Sequence, residues 1–122
     1  MNDAPTWVER TCRIAKSWRI GAESVREHFQ WAAPDLSDEP SFLAAVRGHL
    51  RSQPELVHAW QSYVDDKRGT PSPYLDLRSA EVGWMNTGGK REDISRHDDE
   101  FDAAAQFIWR EANWVLTRQR VT

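Results

Sequence analysis

A chain of 122 residues, 39% hydrophobic and 29% charged, has the size and composition of one globular domain and is too apolar for intrinsic disorder. No apolar run is long enough to cross a membrane, and the opening MNDAPTWVER lacks the basic-then-apolar pattern of a secretion signal, so a cytoplasmic setting is expected. One cysteine, Cys12, excludes an internal disulfide, and a net charge of −3 argues against nonspecific nucleic-acid binding, which rests on basic surface.

The elements follow in chain order. Thr6-Trp7-Val8-Glu9 has the form of a capping box, and a helix is predicted from there to about Ile20. Trp7, Thr11, Ile14, Ala15 and Trp18 share its apolar side, while Arg10, Arg13, Lys16 and Arg19 lie across the other. Gly21 breaks it. A second helix is predicted over about 22–32, with Val25 and Phe29 inward, ending before Pro34. A third starts near Pro40 and carries Phe42, Leu43, Val46 and Leu50. Ser52-Gln53-Pro54-Glu55 reads as the start of a fourth, with Ser52 as cap and Leu56, Val57, Trp60 and Val64 inward.

The breaker-rich stretch 65–73 separates a helical half, 6–64, from a mixed half, 74–120. Ala80, Val82 and Trp84 alternate with Glu81 and Gly83, which is strand periodicity. Leu75 and Leu77 alternate in the opposite phase, so either a bulge near Ser79 resets it or 74–77 is a separate piece. Asn86-Thr87-Gly88-Gly89 is turn chemistry, and 90–96 returns as an edge strand with Ile94 as its one large apolar residue. The last helix is predicted over about 99–119, capped by Asp98 or Asp99. The fold expected is α+β: about five helices, one β-hairpin packed on them and a central C-terminal helix, all in a single domain.

That last helix is unusual. Phe101, Ala104, Ala105, Ile108, Trp109, Ala112, Val115 and Leu116 cover one broad face, and Ala103, Phe107 and Trp114 form a second apolar patch nearly opposite. One reading sandwiches the helix between the hairpin and the helical half; the other places Phe107 and Trp114 at a dimer or partner surface. Seven tryptophans, against usage on the order of one per hundred residues, sharpen the question.

Motifs for chemistry are sparse. Glu55-x-x-His58 has the spacing of a metal-ligand pair but occurs once, without the further glutamates that a di-iron bundle needs. His97-Asp98-Asp99-Glu100 is ligand-rich, yet helix capping accounts for its carboxylates. Cys12 has no activating base near it in sequence, and Gly88-Gly89-Lys90 lacks phosphate-loop spacing. No catalytic residue, cofactor or metal is therefore expected. The leading expectation is a non-enzymatic protein-binding module, such as an immunity protein or antitoxin that occludes a toxin, or one that pairs with itself as a homodimer. Trp84, Phe107 and Trp114 are its candidate anchors, and Asp65 and Asp66 its steering charges. Two alternatives are a nucleic-acid-associated regulator using the basic face of the first helix, and an enzyme whose site assembles from His49, His58 and His97.

Overall fold

The computed structural model describes residues 5–18, 24–67 and 69–122. Five helices occupy them: α1 (Thr6–Ser17), α2 (Val25–Ala32), α3 (Glu39–Ser52), α4 (Glu55–Asp66) and α5 (Glu100–Thr117). Between α4 and α5 lie three strands, β1 (Ser72–Asp76), β2 (Glu81–Met85) and β3 (Arg91–Arg96), in an antiparallel sheet of order β1-β2-β3. The fold is α+β and mostly helical, with one strand more than a hairpin. No helix among the described residues is long and apolar enough to cross a membrane.

Local chemistry explains most of the boundaries. Asp38 accepts from the Ser41 backbone N–H at 3.2 Å and Pro40 occupies the first turn of α3. Asp99 accepts from the Asp102 N–H at 2.9 Å and caps α5. Two predicted caps are corrected. The Thr6 side chain caps nothing: α1 begins at Thr6 itself, with Pro5 before it and no side-chain cap. Ser52 ends α3 rather than starting α4, because its hydroxyl is spent on the His49 carbonyl at 2.7 Å. The second helix begins at Val25, with Ser24 accepting from the Glu27 N–H at 3.2 Å; the break expected at Gly21 lies outside the described residues.

The phase conflict before β2 is resolved by chain reversal. Residues 77–80 are a turn in which the Ala80 N–H meets the Leu77 carbonyl at 3.2 Å and Ala80 takes a left-handed φ of 50°. Residues 74–76 thus belong to a separate strand, β1, with Leu77 already in the turn, and Leu75 pairs with Val82 while Pro73 pairs with Trp84. Since cross-strand partners share a face, these four side chains all point one way. A bulge does exist, but on β3, where Asp93 and Ile94 stand opposite the single residue Gly83 and Asp93 has φ 50°.

Helix α5 lies at the centre, touching α2, α3, α4, β1 and β2. Every residue from Ala103 to Asn113 is buried. The sandwich reading of its two apolar faces is the one found. Phe107 is completely buried among aromatic rings, with centroids 6.0 Å from Trp60 and 6.3 Å from Tyr63. Packing also absorbs most of the tryptophan excess: Trp7 stacks on Phe42 at 5.3 Å, and Trp60 donates its indole N–H to the Cys12 carbonyl at 3.0 Å. Trp31, 59% exposed, is the exception.

Candidate functional site

Polar groups buried inside a helix-rich core have to be satisfied by one another, and here they gather at the junction of α4 and α5. Tyr63 lies in the last turn of α4, and Lys67, four residues on, is the extended residue that directly follows the helix. Both reach Glu111 on α5. The Tyr63 hydroxyl donates to Glu111 Oε2, and Lys67 Nζ donates to Oε1 at 3.1 Å and Oε2 at 3.2 Å. The Glu111 side chain is 3% exposed and that of Lys67 13%. Burial, followed by the Glu111 charge and hydrogen bond, pushes the Tyr63 phenol well above its usual range. Burial also draws the Lys67 ammonium down, and Glu111 partly restores it. At neutral pH Tyr63 is therefore a neutral donor.

These three side chains floor a cleft of about 580 Å³. The apolar side chains of Trp18, Val25, Pro71, Trp114 and Val115 also line it, together with the polar Asp66, Thr70, Ser72 and Arg118. Trp114 is half-buried, with its ring edge-on to Trp84 at 5.4 Å and Arg118 over it at 5.4 Å. Such a site can hold an apolar side chain against aromatic walls, with fixed charges below it.

No protein family, curated protein or solved structure matches this chain.

The expected anchors divide accordingly. Trp114 and Asp66 meet at the cleft. Asp65 is exposed and lines a neighbouring cleft with His58, Asp76 and Arg91. Trp84 and Phe107 are corrected: both are completely buried and present no surface to a partner. The Trp84 indole N–H is taken by the Val121 carbonyl at 3.1 Å, and Arg120 lies over its ring at 5.0 Å. Phe107 is sealed beneath Tyr63 and Lys67, the latter 5.2 Å from its ring centroid.

The three histidines do not converge. His58 lines the cleft beside Asp65, His97 lines a different one with Arg47 and Asp102, and His49 borders neither. Burial and then Arg110 hold the His97 imidazole below its usual range, and its ring hydrogen-bonds Ser95 Oγ at 2.8 Å. Among the described residues no cluster of three or more His, Cys, Asp or Glu could hold a metal. Asp99 and Asp102, in the acid-rich helix start, instead pair with Arg51 at 3.3 Å and Arg47 at 3.1 Å. Cys12 is buried, and desolvation pushes its thiol up to about 12, far from a reactive thiolate.

Sequence reasoning missed Tyr63, Lys67 and Glu111. The signal was present. Phe107, Glu111 and Trp114 follow one another along a single helical face, so Glu111 is an isolated carboxylate inside the second apolar patch. An acid in that position needs a partner, and Tyr63-x-x-x-Lys67 supplies two.

Proposed function

We propose that this protein is a non-enzymatic protein-binding module that grips its partner at the cleft over Glu111. The observation that carries the reading is Trp114: a half-buried indole at the mouth of a cleft with apolar walls and a fully paired polar floor. Interface energy concentrates where an aromatic anchor sits beside a pocket that the partner can fill and dry. Tyr63, Lys67 and Glu111 already satisfy one another, so an apolar side chain entering the cleft strands no buried charge. Asp66 at this cleft and Asp65 at the neighbouring one, both exposed at the end of α4, set an acidic pair beside Lys67 and Arg118 that suits a basic contact on the partner. An enzyme that acts on nucleic acid presents such a basic face, so an immunity protein or antitoxin is the specialisation this charge accommodates.

The test combines affinity capture from native lysate with light scattering of the reconstituted complex. The expected result is one specific partner, lost on Trp114→Ala and weakened by Asp65→Lys with Asp66→Lys. Trp31→Ala should leave capture intact. A symmetric dimer with no partner, or capture indifferent to both cleft variants while their melting temperatures stay close to the parent's, overturns the proposal.

A further inference from the structure

Large apolar side chains are exposed at two places among the described residues, Ile94 and Trp31. Ile94 stands alone on the charged strand β3, whereas Trp31 stands among cations. It lines an open groove of about 520 Å³ with Arg10, Arg13 and Lys16 of α1, all three exposed. The Arg10 guanidinium lies over the Trp31 ring, 4.6 Å from its centroid. Glu9 is the one carboxylate lining this groove, and it pairs weakly with Arg13 at 3.7 Å in an open, solvated contact. Glu27 and His28 lie in a separate groove that Trp31 also borders. A chain of net charge −3 thus gathers three cations in the groove beside its most exposed aromatic ring, against Glu9 in that groove and Glu27 in the next.

We propose that the groove between α1 and α2 binds single-stranded nucleic acid, with a base stacked on Trp31 and the flanking phosphates held by Arg13 and Lys16. A guanidinium on one face of an indole stiffens it and leaves the other face for a second π-system, which is how single-strand binders combine stacking with charge. Successive basic residues rise about 4.5 Å along α1 and fan around it by roughly 60° per step. Arg13 and Lys16 thus set positive charge along a slanted path that a flexible, unpaired backbone can follow. An acidic peptide would use the cations but leave the indole idle, and a duplex keeps its base faces inside the stack. The weak acidity of the whole chain does not weigh against this site, because the charges are segregated and screened beyond about 10 Å.

The probe is a fluorescein-labelled oligothymidylate of about ten nucleotides, followed by anisotropy on the full chain from about 50 mM salt upward. Binding should weaken with salt, with a log–log slope of about −1.4 for the two phosphate contacts. Trp31→Ala should cost about tenfold in affinity and Trp31→Phe much less. Arg13→Glu with Lys16→Glu should abolish binding, and Glu9→Gln should strengthen it by freeing Arg13. All these positions lie on the surface, so unchanged melting temperatures confirm that the fold is intact. The proposal is overturned by no binding at about 100 µM protein, by indifference to Trp31→Ala, by equal affinity for the matching duplex, or by equal affinity for an oligoglutamate of the same charge.

Discussion

Replacing Lys67 with methionine isolates the buried ion pair from the packing around it. Methionine keeps the apolar stem and removes the charge that sits 3.1 and 3.2 Å from the two Glu111 oxygens. At an effective dielectric of about 20, charges so close attract by about 5 kcal/mol, most of which offsets the cost of taking both out of water. Once the ammonium is gone, the Glu111 carboxylate stays desolvated with the Tyr63 hydroxyl still donating to it, and the expected loss is about 3 kcal/mol, the low end for a broken buried pair. For 122 residues the unfolding entropy is about 0.26 kcal/mol/K, so the melting temperature should fall by about 12 °C. Glu111→Gln should cost less, about 1–2 kcal/mol, because Lys67 ends α4 and its long stem can carry the charge out to water. The double variant should be no worse than Glu111→Gln alone, giving a coupling of at least about 3 kcal/mol in a cycle measured by urea unfolding and far-ultraviolet circular dichroism. Two single losses below about 0.5 kcal/mol each, adding without coupling, would refute the account of Glu111 as a carboxylate that depends on Lys67.

Two further outcomes follow from buried groups elsewhere. Phe107→Ala should cost about 3–5 kcal/mol in the same urea titration, as expected for a ring wholly enclosed by Trp60 and Tyr63; a loss under about 1 kcal/mol would return Phe107 to the surface. Burial and the Glu81 hydrogen bond push the Tyr74 phenol up from 10.0 to about 12. Its contribution is therefore complete below pH 10 and lost as pH rises toward 12. Tyr74→Phe should flatten the alkaline decline in stability, leaving the part due to Tyr63. Glu81 runs the other way. The Tyr74 hydrogen bond and then Arg96 and Arg91 hold its carboxyl below 4.5, so its contribution is present above that pH and lost on acidification. Glu81→Gln should flatten the acid limb, and an unchanged limb would count against this pairing.

Much of the fold was legible because local chemistry and tertiary packing agree. Pro40 marks the first turn of α3, and Asp99 before its acidic first turn caps α5, as their chemistry suggests. Ser52 misled because a serine hydroxyl serves equally well on a carbonyl one turn back, and the sequence does not say which use wins. The strand Ser72–Asp76 hid for a different reason. It contains Pro73, falls partly inside a breaker-rich stretch, and gains its identity from pairing with β2 across a turn whose left-handed residue is an alanine. At the site, Trp114 was readable as an aromatic out of place. Phe107, on the same face, was not separable from it, because about two turns along one helix decide between a covered core position and a place at the cleft. Trp31 was readable but overlooked: it lies about 200° around α2 from the inward Phe29, on the side that carries Glu27. Its exposure depends on where α1 crosses α2.

Both margins of the sheet also govern how the molecule behaves when crowded. An open strand edge is a template on which a neighbour's backbone can add, the first step toward fibres. On one side, β1 carries Pro73, which has no N–H to offer, and follows directly after Pro71. On the other, the bulge at Asp93 breaks the ladder, Arg110 takes its carbonyl at 3.0 Å, and Arg120 clamps Glu92 and Asp93 from the side. A three-stranded sheet this small would otherwise invite lengthening into a continuous ribbon between molecules. With both rims blunted, concentrated solutions of the folded chain should resist fibrillation until the Arg120 clamp is removed or α5 is drawn away from the sheet.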